Sequence, residues 1–239
     1  MNIGAYQGAS ALKAYEKWQE VISQNIAYGS APGFKKSDVT FDSILGSKAG
    51  AGMPEVKSVI NFSPGSVQQS GNQFDFAIQG NGFFKIQRPN GKVGYTRDGE
   101  FHLNPDRTLV TKQGSHVMGA IGPITIHGEG GDISVSPDGT ISQGKESVGK
   151  LGIFDFKDKS KLERVGDGLF ASSDTSVQPE AVAKPQVLNG CLESSNVSSL
   201  TEMVNLINVS RAYEASQKIL SSGDDNEDKA IQTLGSPPS

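Results

Sequence analysis

The chain has 239 residues, with 29 glycines, 11 prolines, only 7% aromatics and a formal net charge of -4. That length gives room for a sizeable core and fits one domain or two. The acidic balance removes the electrostatic case for nucleic acid or an anionic membrane, and frequent glycine and proline with few aromatics favour short strands and turns over a helical enzyme core.

Cys191 is the sole cysteine, so an internal disulfide and a cysteine-based zinc site are both ruled out; a small buried hydrophobe is its expected role. The opening MNIGAYQGASALKAYEKWQE has no basic segment followed by an apolar run, and no stretch of about 20 apolar residues exists to span a bilayer. The expectation is a chain that stays in the cytoplasm or leaves it without a cleaved signal.

From the N-terminus, Ala5, Gly8, Leu12, Tyr15, Gln19, Ile22 and Ile26 recur with alternating steps of three and four, a heptad seam. A helix of about 24 residues, roughly 36 Å long, is expected. It stops near Tyr28, where Gly29 can supply a left-handed closing residue and Pro32 cannot continue the helix. Residues 37–73 read as an extended connection, with room for one strand within 46–64, where small residues and breakers dominate.

Over 74–191 the texture changes to period-two alternation, and antiparallel β structure is expected. Asn81-Gly82, Asn90-Gly91 and Asp98-Gly99 are hairpin signals between or beside the candidate strands FDFAIQ, GFFKIQR and VGYTRDGEFHL. LNPDRTLV (103–110) and VSPDGTIS (135–142) share one pattern and predict two similar hairpin turns. KLGIFDF and GLFASS supply further strands.

The last segment returns to helical spacing. Val197, Leu200, Met203, Val204, Ile207, Tyr213 and Leu220 make one wide apolar face. Ser198 or Ser199 can cap this helix, and Ser199 with Glu202 has capping-box spacing. The tail with the acidic run 224–228 either continues this helix or opens a second turn set capped at Ser222 or Asp224, where negative residues suit a helix start; a calcium loop would need glycine at Lys229 and glutamate at Gly235. The fold class is therefore α+β. Terminal helices in 1–36 and 192–235 pair as a coiled coil around a central antiparallel β-rich domain at 74–191.

No residue set carries chemistry. His102, His116 and His127 lack metal-ligand spacing, the glycines of GEGGD make no phosphate loop, and pairs such as Asp75 with Glu100 or Asp138 with Glu146 are ordinary in an acidic β domain. The expectation is no enzyme, no cofactor, no metal and no small-molecule substrate.

Four ordered stretches carry a family resemblance: SAPGFK after the first helix, FDFAIQGNGFFKIQ (74–87), YTRDGEFHLNPDRTLVTKQGSHVMG (95–119), and LESSNVSSLTEMVNLINVSRAYEASQKIL (192–220). They resemble the bacterial flagellar rod, hook and basal-body proteins. Length, GPITI and SVGKLGIFDF look like the rod subunits of the FlgF and FlgG type, and the tail DDNEDKAIQTL is closer to the FlgF type.

That resemblance implies a structural subunit of a hollow helical tube in the periplasm, exported by the flagellar type III apparatus. Its partners would be copies of itself, other rod and hook subunits and, around them, ring proteins. The implied assembly surface draws on Leu12, Tyr15, Ile22, Ile26, Phe34, Leu200, Met203, Val204, Ile207 and Tyr213. Phe34 would anchor the exit of the chain, with Lys35 and Lys36 on a solvated or intersubunit edge. The chain departs from the family at Tyr28, where Asn is usual, and at Ala31, where Thr or Ser is common. The competing reading is a β-rich cell-wall or glycan-binding module on a helical stalk, which would need aromatic platforms outside the strand cores.

Overall fold

A computed structural model describes residues 3–43, 54–126, 133–144, 146–172, 174 and 176–235. His127 and the GEGGD glycines lie outside the described residues. The chain divides into two compact units. One contains α1 (Ile3–Ala27), β1 (Ser37–Ser43), β2 (Pro54–Ile60) and α2 (Ser199–Gly235). The other holds residues 28–36 and 60–197.

In the helical unit, α1 ends at Ala27, one residue from the expected stop. The left-handed residue of the following turn is Gly33, at φ 67°, and not Gly29. Asn25 shapes the return of the chain: its amide donates to the Ser37 carbonyl, and the Ser37 N–H donates back to Oδ1, both at 2.9 Å. That pair sets the first residue of β1, which with β2 makes a two-stranded sheet. The segment 37–73, read as largely connection, thus contributes three strands: these two and Val67–Gln69. α2 starts after Ser198 and runs unbroken for 37 residues. Of the two alternatives for the tail, continuation of the helix is the one found: the acidic run sits inside α2.

The β unit contains β3 (Val67–Gln69), β4 (Phe76–Ile78), β5 (Phe83–Gln87), β6 (Val93–Thr96), β7 (Phe101–Leu103), β8 (Leu109–Thr111) and β9 (His116–Val117). There follow β10 (Ile133–Val135), β11 (Thr140–Gln143), β12 (Glu146–Lys150), β13 (Ile153–Asp155), β14 (Glu163–Arg164), β15 (Phe170–Ala171), β16 (Glu180–Ala181), β17 (Val187–Asn189) and β18 (Cys191–Glu193). The largest sheet runs β14-β15-β6-β5-β9-β8-β7, with β13 also on β5 and β16 on β13. β10-β11-β12 form a second sheet, and two strand pairs, β17-β4 and β18-β3, join distant parts of the chain.

Of the three hairpin signals, only Asn90-Gly91 closes a hairpin, β5 to β6, with Gln87 opposite Val93. Asn81-Gly82 joins strands of different sheets, and Gly82 is needed because a side chain there would press on Ile153. Gly99 likewise serves close approach, since a Cβ would run into the Phe76 carbonyl. The paired turn motifs do match. In both, the residue before proline closes the turn on the threonine that directly follows the left-handed residue: Asn104 N–H donates to the Thr108 carbonyl at 3.0 Å and Ser136 N–H to the Thr140 carbonyl at 2.9 Å. Arg107 (φ 60°) stands where the other turn has Gly139 (φ 84°).

Two apolar clusters fill the unit. The larger gathers Phe76, Phe84, Ile86, Phe101, Leu109, Val117, Ile141, Leu151 and Val187 among others, and the smaller is aromatic, around Phe83, Tyr95, Phe156 and Phe170. Edge-on contacts between these rings, such as Tyr95 to Phe156 with centroids 4.8 Å apart, add to the burial of their faces.

Candidate assembly interface

α1 and α2 run antiparallel, because residues early in one meet residues late in the other. A side chain at Gly8 would collide with Leu220, the Tyr213 hydroxyl donates to Glu16 at 3.3 Å, Gln19 donates to Ser210 at 3.3 Å, and Asn25 donates to Glu202 at 3.4 Å. At about 100° per residue, Glu202, Leu206, Val209, Tyr213, Ser216 and Leu220 share one face of α2, with steps of four and three. Glu202 and Val209 are buried there.

Leu200, Met203, Val204 and Ile207 project from the opposite face, and they are 75%, 49%, 51% and 52% exposed. The wide single face expected from the sequence is thus two faces, only one of which meets α1. On α1, Ile22 is buried, while Leu12, Tyr15 and Ile26 are half-buried; Tyr213 of α2 is half-buried as well. Sequence reasoning missed Asn25, Glu202 and Val209 on the inner seam. The polar members of that seam hid it.

A second constellation lies in the β unit, at the loop after α1. Lys35, placed by the sequence on a solvated edge, has no exposed surface, and its Nζ donates to Glu193 Oε1 at 2.5 Å and to the Ser63 carbonyl at 2.9 Å. The expectation fails because the preceding Gly33 turns the chain inward: its N–H donates to the Glu193 carbonyl at 2.7 Å, and a side chain at that position would strike the Arg97-Asp98 peptide. Glu193 Oε1 also accepts from the Gly65 N–H at 2.9 Å, and Oε2 lies 3.5 Å from Arg97. Arg97 in turn donates to the carbonyls of Ile78 and Gly80. Burial pulls the Lys35 and Arg97 pKa values down, and Glu193 opposes the shift in both.

Phe34 is buried between two flat groups. Tyr28 stacks on one face with centroids 5.4 Å apart, and the Arg164 guanidinium lies 4.4 Å from the ring centroid. Arg164 also donates to the Lys35 carbonyl at 2.6 Å. The stack gives Tyr28 a role that an asparagine at this position would not fill.

Both chain ends in one helical unit, with the intervening chain folded as antiparallel β, fit the class of structural subunits that the sequence resemblance suggests. A family model described as the flagellar hook protein FlgE/F/G D1 domain matches residues 77–143, and one described as the flagellar basal body rod FlgEFG protein C-terminal matches residues 188–233. The chain is 35% identical to flagellar basal-body rod protein FlgF of Caulobacter vibrioides, over 98% of this chain and 99% of that protein. It is 33% identical to FlgF of Rhizobium meliloti over the same shares, and 32% identical to FlgG of Bacillus subtilis over 92% and 94%. The chain belongs to the flagellar basal-body rod protein family, and within it to the FlgF type.

Proposed function

We propose that this chain is a non-enzymatic structural subunit of the flagellar basal-body rod, and that its terminal helices pair as a coiled coil within the axial tube. The observation that carries the reading is the uncovered stripe Leu200, Met203, Val204 and Ile207, which lies opposite the face of α2 that meets α1. Four large apolar side chains within two helical turns are a poor fit to water, and a neighbouring subunit's helices can cover them. Leu12, Tyr15, Ile22, Ile26 and Tyr213, in the same helical unit, contribute to the assembly surface on this reading, and Phe34 contributes to it separately from the β unit.

The partners on this reading are further copies and other rod and hook subunits, with ring proteins outside them. The chain reaches the periplasm through the flagellar export apparatus. That route rests on the family resemblance. Deleting the gene and imaging isolated basal bodies tests the function: a rod that ends early, with lost swimming, is expected, whereas intact rods and hooks on motile cells would overturn it.

A further inference from the structure

Residues 190–197 hold their place differently from the rest of the β unit. Every side chain of β3, the strand that β18 pairs with, is exposed. The attachment rests mainly on backbone bonds, the Asn196 side chain and one buried charge, with only Cys191 and Leu192 half-buried as apolar contributions from β18. The Ser70 N–H donates to the Gly190 carbonyl at 2.8 Å and the Ser194 N–H to the Ser66 carbonyl at 2.8 Å. Asn196 accepts from the Lys36 N–H at 2.7 Å and donates to the Asn61 and Ser63 carbonyls at 2.9 and 3.1 Å. Glu193 ties in the Gly33 loop, Gly65, Lys35 and Arg97.

These partners are remote in the chain, with Lys35 and Glu193 158 positions apart. The hairpins of the main sheet, by contrast, pair neighbours over an apolar core. Segments with little apolar burial and long closing loops open at lower free energy than the core and do so as cooperative blocks.

We infer that residues 190–197 are a strap that opens and closes as its own cooperative unit, latched by Glu193, and that opening frees the Gly33 loop and residues 61–71 with it. Three segments share the single carboxylate. Removing its charge leaves the buried Lys35 and Arg97 facing each other with only Asp155, which acts on Arg97, to offset them. The strap immediately precedes α2, and the Gly33 loop follows α1. One latch therefore governs the backbone leading into both terminal helices, a property independent of the reading as a rod subunit.

Native-state hydrogen exchange on the full chain, across low urea concentrations, tests this. In the wild type, the amides of Gly33, Lys36, Gly65, Ser70 and Ser194 should converge on one opening with a smaller urea dependence than those of Lys85, Leu109 and Ile124. Glu193→Gln should speed exchange of the first group on the order of 100-fold while the second moves little. Five unrelated openings, or a merger of both groups on a single global isotherm in the wild type, would overturn the strap without reference to any variant. So would a Glu193→Gln protein in which both groups loosen equally.

Discussion

The two units place their apolar side chains to opposite effect. In the β unit, phenylalanines and branched residues from nearly every strand turn inward, and Phe76, Phe83, Phe84 and Ile86 are almost wholly buried. Among the described side chains of the helical unit the buried apolar ones are Ala14, Val21, Ile22 and Val209, while Leu200, Met203, Val204 and Ile207 face outward. The β unit is thus built to hold itself together, and the helical unit has apolar surface that its own chain leaves uncovered.

The largest expected effect lies in the β core. Phe84→Ala removes a fully buried ring that packs edge-on against Phe101. It should cost about 3–5 kcal/mol, read as a lower urea midpoint for the β unit. A loss below about 1 kcal/mol would show that this core is looser than its burial implies, and would break the contrast between the units.

The loop after α1 comes next. Gly33→Ala forces a side chain into a left-handed position that abuts the Arg97-Asp98 peptide, and about 2 kcal/mol or more of stability should be lost in the same unfolding assay. An alanine variant as stable as wild type would mean that the Gly33 loop is not held against Arg97 as described.

Asp98 works in the other direction. Burial is the main cause that pushes its carboxyl up to about 6, against the hydrogen bond it accepts from the Glu100 N–H. The folded chain then binds this proton more tightly than the unfolded chain does. Its effect is favourable at low pH, and stability is lost as pH rises from about 4 through 6. Asp98→Asn keeps an oxygen for the Glu100 amide and removes the charge. It should stabilise the protein by about 1–2 kcal/mol at pH 7 and flatten the pH dependence between 4 and 6. Destabilisation at pH 7 would show that the carboxylate is better satisfied than its burial implies.

What the sequence revealed followed the range of the signal. The end of α1, the Asn90-Gly91 hairpin, the twin proline turns and the extent of α2 all depend on residues a few positions apart. Periodicity and turn chemistry report on that scale. The burial of Lys35 could not be read the same way, because its reason is Glu193, far along the chain, and a lysine beside another lysine looks solvated. Likewise β4 meets β17 and β3 meets β18 only after most of the β unit has intervened. On α2, the four exposed apolar residues dominated the pattern. The seam that meets α1 includes Glu202, Ser210 and Ser216, so hydropathy pointed to the uncovered face first.

That uncovered face gives the smallest effect on the isolated chain. Val204→Ser and Ile207→Ser alter side chains about half exposed, away from the contacts with α1, so the monomer's stability should stay within about 0.5 kcal/mol of wild type. If α2 presents this face to neighbouring subunits, the same pair of changes should still abolish swimming and leave rods incomplete by electron microscopy. Val209→Ser, on the inner seam, should instead weaken the helix pair in the monomer, visible as lost helical signal at lower temperature. Unchanged motility in the Val204 and Ile207 double variant would mean that the outward stripe is not where subunits meet. A monomer destabilised as much by that variant as by Val209→Ser would instead show that α2 turns the outer face toward its own chain.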